Sequence, residues 1–182
     1  MIIYIVLGLL MISVFYVVAI YNGFIKLRNS VEEGFSTMDV YMKKRYDLIP
    51  NLVETVKGYA KHESETLEKV IQARNSAMSA QGVNEKQKNE NMLQGTLKSL
   101  FALSESYPDL KADAQFLDLQ KQLQKLEEDI ANARKYYNAV VKAINTKVET
   151  FPSNIIANMF NFNKYPFFII EDTQRENIKV SF

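Results

Sequence analysis

The sequence contains no cysteine, which excludes disulfides, thiolate chemistry and sulfur-ligated metal sites. It contains one histidine, His62, so a single chain has no second imidazole for a zinc or iron site. The formal net charge is +1, and the lack of a basic excess argues against a nucleic-acid-binding protein. The sequence has only six glycines and four prolines, which is typical of a protein built mostly of long helices.

Motifs for catalysis and cofactor binding are also missing from the sequence. We find no P-loop, dinucleotide-binding loop, zinc signature or pairing of a nucleophile with a base, and the Glu-x-x-His spacing of di-iron bundles does not occur. The sequence therefore predicts no catalytic residue, no metal site and no cofactor, and it indicates a protein that is not an enzyme. A phosphorylated histidine at His62 is disfavoured, because its neighbours lack the motif of phosphotransfer modules; a solvated or capping role is favoured.

Residues 1–21 contain no charged side chain, and about 20 helical residues span the hydrocarbon core of a bilayer. A cleaved secretory signal would need a basic n-region, a shorter apolar stretch and a small-x-small cleavage site, and none is present. We therefore predict a retained transmembrane anchor over residues 1–22 that contacts the lipid bilayer through residues 1–21. By the positive-inside rule, the basic residues that follow place the N-terminus outside and the rest in the cytoplasm, as in a single-pass protein of the cell membrane. These residues are Lys26, Arg28, Lys43, Lys44 and Arg45.

A helical period follows the anchor and predicts one long helix with a buried face. Apolar residues recur at steps of three or four, as expected for 3.6 residues per turn. Pro50 lacks an amide hydrogen and crowds the carbonyl of Tyr46, so we expect a bend or short break near residues 47–50. The stripe consists of Phe24, Leu27, Val31, Phe35, Met38, Met42, Tyr46, Ile49, Val53, Val56 and Ala60.

Three more helical patterns complete the prediction. A second helix is predicted from Glu65 to Ala80 with Gly82 as its C-cap. A third starts at Asn84, and its face consists of Leu93, Leu97, Leu100, Phe101 and Ser104. The fourth ends at Phe151-Pro152, and its average step near 3.5 indicates a coiled-coil-like seam. We predict an all-α fold in which the transmembrane helix continues into an antiparallel, up-and-down-related four-helix bundle over residues 23–151. The seam consists of Phe116, Leu119, Leu123, Leu126, Ile130, Ala133, Tyr137, Val140, Ile144, Val148 and Phe151.

Residues 152–182 form a tail of different character, which is aromatic and rich in asparagine and shows no long helical period. We predict an irregular tail that packs on the bundle or on a neighbour, and packing within the chain is favoured over contact with another molecule or the membrane. Its apolar residues are Ile155, Ile156, Met159, Phe160, Phe162, Phe167, Phe168, Ile169 and Ile170.

A set of polar residues lies on or beside the apolar stripes and has two interpretations. In the favoured one, the set is a structural network of buried or half-buried ion pairs, with Glu54, Glu105 or Glu127 as partners of the arginines. In the alternative, Arg45, Arg74 and Arg134 line a groove between helices that accepts an anionic lipid headgroup or a peptide carboxylate. The candidate site consists of Arg45, Asp47, Glu54, Arg74, Glu127, Arg134 and Asn138.

Sequence blocks that carry a family resemblance occur along the whole chain. They include Tyr21-Asn22, Leu27-Arg28-Asn29, residues 44–53, Gly58-Tyr59-Ala60, His62-Glu63, Ala73-Arg74, residues 107–112, Ala133-Arg134, Tyr136-Tyr137-Asn138, Phe151-Pro152, Pro166-Phe167-Phe168 and Val180-Ser181-Phe182. In these blocks the sequence resembles the LemA family of bacterial membrane-anchored proteins, to which magnetosome-associated MamQ proteins also belong. The resemblance implies one N-terminal membrane helix, a short extracytoplasmic N-terminus and a cytoplasmic four-helix bundle. One departure is Asn161-Phe162-Asn163, where the family usually has a glycine-containing segment.

These observations together predict a non-enzymatic, membrane-anchored helical scaffold. The surplus of aromatic residues in the tail favours a homo-oligomer, whose rods and anchors could organise or remodel the membrane; the magnetosome relatives, which are tied to membrane invagination, extend this expectation. An unidentified protein partner is compatible with the prediction. The alternative function is a binding module that recognises a lipid headgroup, a peptide or a protein in an inter-helix groove.

Overall fold

The computed structural model describes residues 1–169, and this part of the chain is all α-helical, without a strand. The predicted tail residue Ile170 and the ending Val180-Ser181-Phe182 lie outside the described residues. The four longer helices are those that the apolar periods predict, and two short helices were not predicted. The helices are α1 (Ile2–Tyr59), α2 (Ser64–Ser79), α3 (Gly82–Ser104), α4 (Pro108–Ala112), α5 (Ala114–Glu149) and α6 (Ser153–Met159).

Helix α1 is unbroken from Ile2 to Tyr59, so the chain shows no break at residues 47–50 although Pro50 lies inside the helix. The predicted stripe of α1 is buried except at Leu27 and Phe35, which are half-buried. The N-terminal part differs, because its apolar window has a mean hydropathy of 2.7 and is not buried inside the protein. By length and composition, α1 can therefore cross a membrane.

The chain forms two compact units. The first unit comprises Met1–Met42 and Glu127–Phe167, and the second unit comprises Lys43–Leu126 together with Phe168 and Ile169. Helices α1 and α5 each contribute residues to both units. The predicted division into residues 1–22, 23–151 and 152–182 stays a prediction beside this arrangement.

The core of the first unit is built from one face of α1 and one face of α5. Phe24 and Met38 of α1 are fully buried, as are Val141 and Ile144 of α5. Gly34 lets the helices approach closely, because a Cβ at this position would lie 3.3 Å from the Cα of Tyr137. Val141 is fully buried whereas the predicted Val140 is half-buried, and Tyr137 and Ile144 on either side keep the predicted spacing of seven residues.

The core of the second unit combines the C-terminal part of α1 with α2, α3 and the start of α5. Helices α2 and α3 pack against each other, and the turn between them differs from the prediction. The C-cap of α2 is Ala80, and Gly82 begins α3 with a φ of 74°. The predicted C-cap at Gly82 and the predicted helix start at Asn84 are therefore wrong. A left-handed residue reverses the chain here, and glycine takes this conformation without a Cβ clash.

The tail is helical at Ser153–Met159, which corrects the predicted irregular structure there, whereas residues 160–169 have no regular secondary structure. Helix α6 buries Ser153, Ile156 and Ala157. Asn161 then adopts a φ of 57°. Asparagine is one of the few non-glycine residues that take left-handed backbone readily. This explains how Asn161 can stand in a segment where the resembled family usually has a glycine.

Candidate functional site

The second unit contains a buried ion pair between α1 and α3. Arg45 and Glu90 are each only 1% exposed, and the Arg45 guanidinium donates from Nη2 to Oε2 of Glu90. The hydroxyl of Tyr46 donates to the other carboxylate oxygen, Oε1. Both oxygens of Glu90 are therefore occupied, which reduces the penalty for burying its charge.

Glu90 was not among the predicted site residues, although the sequence carries a signal for it. The predicted apolar face of α3 includes Leu93, Leu97 and Leu100, and Glu90 precedes Leu93 by three residues. It therefore continues the buried stripe by one helical turn. A carboxylate on such a stripe needs a cation, and Arg45 on the buried face of α1 has the complementary charge.

Arg74 on α2 makes a different type of contact, to the backbone of α1. Its Nε donates to the carbonyl oxygen of Tyr46 at 2.8 Å. In a regular helix this carbonyl would accept from the amide of residue 50, but Pro50 has no amide hydrogen. Arg74 therefore satisfies the acceptor that Pro50 leaves without its helical donor, and its Nη1 also donates to Oδ1 of Asn75 at 3.0 Å.

The remaining predicted site residues differ from Arg45 in their burial or in the unit to which they belong. Asp47 and Glu54 are exposed, and Glu54 pairs with Lys57 at 3.5 Å. Glu127, Arg134 and Asn138 are half-buried and belong to the first unit, so neither unit by itself contains all three arginines of the predicted groove. Glu105, another expected partner, pairs with Lys111, and His62 is exposed in the turn after α1.

Asp113 joins two elements of the second unit at the start of α5. Its Oδ1 accepts the backbone N–H of Phe116 at 2.8 Å, and its Oδ2 accepts the hydroxyl of Tyr59 at 2.9 Å. The bond from Phe116, followed by that from Tyr59, lowers the pKa of Asp113. The same hydrogen bond and the charge of Asp113 raise the pKa of Tyr59. Asp113 therefore caps the N-terminus of α5 and accepts a second hydrogen bond from Tyr59, so these contacts have a structural role.

In the first unit, the segment after α6 is held on α5 by neutral hydrogen bonds. The amide of Asn145 donates to the Tyr165 carbonyl at 2.9 Å and accepts the Tyr165 N–H at 2.8 Å. The hydroxyl of Tyr137 donates to the carbonyl of Pro166 at 2.9 Å. These bonds pair backbone groups that no regular secondary structure satisfies.

Aromatic rings hold the same segment against the N-terminal part of α1. The ring of Phe162 stacks on Phe24 with centroids 4.6 Å apart, and the ring of Phe160 meets Tyr21 at 4.8 Å. Lys147 at the end of α5 lies 5.0 Å from the ring centroid of Phe24, where burial lowers the pKa of its ammonium group.

A cavity of about 340 Å³ lies beside these rings. It is lined by Tyr21, Ile25, Arg28 and residues 160–165. Two cationic side chains, Arg28 and Lys164, therefore border an otherwise aromatic and amide-rich wall. Over residues 1–169, no group of three or more His, Asp and Glu side chains is placed to hold a metal ion.

Two comparisons with known proteins agree with the sequence resemblance. A family model described as the LemA family matches residues 34–182. The chain is also 26% identical over 185 residues to the Protein LemA of Metamycoplasma hominis, and the alignment covers 98% of this chain and 83% of that protein. The first match covers most of the chain and begins within α1, at residue 34.

Proposed function

Because this chain belongs to the LemA family, we propose that it acts as a membrane-anchored helical scaffold without enzymatic activity. The observation that carries the proposal is the composition of α1. Its apolar N-terminal part is exposed, and the same helix continues without a break into the packed core around Phe24 and beyond. A helix that is apolar on all sides and unburied within its own chain is suited to a bilayer.

The proposed arrangement places the N-terminus outside the cell and residues 22–182 in the cytoplasm. Lys26 and Arg28 support this orientation, since basic residues beside a span are retained on the cytoplasmic side. The four longer helices are proposed to form an antiparallel, up-and-down-related bundle. The short connection between α2 and α3 supports this topology, because a connection of two residues, Ala80 and Gln81, favours antiparallel neighbours.

We also propose that several copies associate laterally in the membrane and organise it. Apolar side chains that remain exposed outside the span support association, and Tyr136 and Phe167 of the first unit are two of them. Anchors that are rigidly continuous with packed helices would then impose a spacing on the bilayer. An unidentified protein partner would use the same exposed surfaces.

The alternative, ligand binding between arginine-lined helices, has less support. Arg45 is buried against Glu90, and Arg74 donates to the backbone of Tyr46. Both side chains therefore have structural contacts, and an incoming anion would have to displace the pair or the hydrogen bond. Displacing Glu90 would leave a carboxylate buried without its cation.

The anchor is tested by two matched substitutions. Leu10→Arg places a charge in the proposed span, and each arginine at the centre of a membrane helix disfavours insertion by roughly 2.5–3.5 kcal/mol. We expect this variant to shift from the membrane fraction to the carbonate-soluble fraction. Met92→Arg is the control, because Met92 is a similarly exposed apolar residue on α3. Equal membrane retention of both variants would contradict the anchor.

Association and orientation need separate measurements. The mass of the full-length protein in native membrane nanodiscs should correspond to several copies, and a strictly monomeric species would contradict the oligomer.

A single Ser99→Cys label on the exposed face of α3 tests the orientation. It should react with an impermeant reagent only after the cells are opened. Reaction in intact cells would reverse the proposed orientation.

A further inference from the structure

We propose that the exposed face of α6 is a second membrane-contact surface, which lies in the bilayer interface beside the anchor. This face contacts lipid at the boundary between the headgroups and the acyl chains. The inference rests on the proposed anchoring through residues 1–21 and adds a second, peripheral contact to it. The surface consists of Phe151, Ile155, Met159 and Phe160.

Helix α6 carries apolar side chains on its buried side and also on part of its exposed side, which they share with Asn158. Ile156 and Ala157 are buried in the first unit. Away from these two residues, Ile155 is 52% exposed and Met159 is 65% exposed, and their spacing of four residues places them on one side of α6. Phe151 precedes α6 and is 80% exposed. A soluble helix would normally carry polar residues on this side.

The position of α6 argues for lipid as the occupant. Phe160 follows the helix directly and packs on Tyr21, the last residue of the proposed lipid contact over residues 1–21. The stacking of Phe162 on Phe24 fixes the following turn one helical turn further along α1. The end of α6 is therefore at the level where the span emerges from the hydrocarbon. An apolar surface at this level is continuous with the surface of the anchor.

The segment is also firmly attached to the first unit. The hydroxyl of Ser153 donates to the carbonyls of Lys147 and Thr150 at 2.7 and 2.9 Å. Beyond α6, Asn145 holds both the N–H and the carbonyl of Tyr165. The apolar face is thus held from both ends and does not need to fold when it meets the membrane.

Cationic groups are placed where lipid phosphates would lie. Arg28 and Lys164 line the cavity of about 340 Å³ beside Tyr21 and Phe160. Lys164 also pairs with the exposed Glu149. Arginine and lysine at this depth can meet phosphate while the aromatic rings remain in the interface. The combination of an apolar face and a basic border is typical of interfacial helices.

The absence of cysteine makes a site-specific test practical. Full-length variants with one nitroxide label, at Ile155→Cys or Met159→Cys, are placed in vesicles of phosphatidylethanolamine and phosphatidylglycerol. The accessibility of the label to oxygen and to a water-soluble nickel complex reports its depth. Ile12→Cys is the control within the anchor. Lys135→Cys is the water-exposed control on α5. Along the helix axis, residue 135 lies about 18 Å from Lys147, because a helix rises about 1.5 Å per residue.

We expect the labels at residues 155 and 159 to favour oxygen over the nickel complex, as the label at residue 12 does, while residue 135 favours the nickel complex. Immersion at residue 12 with water exposure at 155 and 159 would overturn this inference and leave the anchor intact. Water exposure at residue 12 would overturn both. Protection at 155 accompanied by dipolar coupling between labels would assign the face to a second copy and overturn the lipid contact.

Discussion

The two units stabilise their buried polar groups in different ways. The second unit buries a charged pair, Arg45 and Glu90, between two helices whose backbones are already hydrogen-bonded. The first unit uses neutral side chains, Asn145 and Tyr137, to pair the backbone of an irregular segment. The difference follows from the type of backbone that each unit has to stabilise. A pair of regular helices needs a contact that fixes register, whereas an extended segment needs donors and acceptors for its own peptide groups.

The largest expected effect comes from removing one member of the charged pair. Glu90→Ala leaves the Arg45 guanidinium buried without its carboxylate, and we expect the free energy of unfolding to fall by about 3–5 kcal/mol. Urea unfolding of the full-length protein in nanodiscs, followed by circular dichroism, measures it.

Two controls distinguish this effect from a general loss of packing. The double substitution Arg45→Met with Glu90→Leu should recover most of the stability, because apolar replacement of both partners is often neutral. Lys69→Ala breaks an exposed pair with Glu65 and should have no measurable effect. A double variant no more stable than Glu90→Ala would show that the charge is not the cause.

The neutral contacts of the first unit predict a smaller and more local effect. Asn145→Ala removes both bonds to Tyr165 and leaves half-buried backbone groups unpaired, at a cost of about 1–3 kcal/mol. Hydrogen exchange at the Tyr165 amide should accelerate while the amides of α3 keep their protection. Asn163→Ala, in the same segment but exposed, should leave that exchange unchanged. Unaltered protection at Tyr165 after loss of Asn145 would contradict this role.

A third prediction concerns the hydrogen bond from Arg74 to the Tyr46 carbonyl, which has no helical donor because residue 50 is proline. In a Pro50→Ala chain, the new amide can reach the Tyr46 carbonyl. We therefore expect Arg74→Met to be less destabilising in that background than in the parent, by about 1 kcal/mol. Unfolding of the four chains of this cycle gives the difference. Equal losses in both backgrounds would assign Arg74 to packing alone.

The smallest expected effect is on the stability of the first unit at alkaline pH. Burial raises the pKa of Tyr137, with a further contribution from Tyr165, whereas an unfolded tyrosine ionises near its ordinary value of about 10. The stabilisation from this group is therefore complete below the ordinary value and is lost as pH rises through the raised pKa. The melting temperature of a Tyr137→Phe chain should decline less steeply above pH 10 than that of the parent. Tyr136→Phe should follow the parent; identical declines for all three chains would refute the prediction.

The sequence predicted the longer helices because burial follows the helical period. The stripe of α1 from Phe24 to Ala60 and the leucines of α3 were predicted directly from spacing. The partner of Arg45 was not, because periodicity identifies the face on which a residue lies but not which residue of another helix lies opposite. Glu54, Glu105 and Glu127 were equally plausible by charge, and only the register of α1 against α3 selects Glu90.

Short elements were also difficult to predict. Helix α6 spans only Ser153–Met159, too short for a clear period, and its stability depends on packing of Ile156 and Ala157. The choice between Val140 and Val141 was also not fixed by spacing. From Tyr137 to Ile144 the steps can be three and four or four and three, so either valine fits the sequence pattern.

The contact of Lys147 with Gly23 has a consequence for the choice of membrane. A Cβ at residue 23 would collide with the Nζ of Lys147, so glycine makes room for an ammonium group at the end of the proposed span. This cation resists immersion in hydrocarbon and limits how deeply α1 can sink. The stretch before it, residues 2–22, is about 30 Å long as a helix, which equals the hydrocarbon thickness of a typical bilayer. In a thinner membrane the helix must therefore tilt, and hydrophobic mismatch would sort the protein towards bilayers of ordinary thickness.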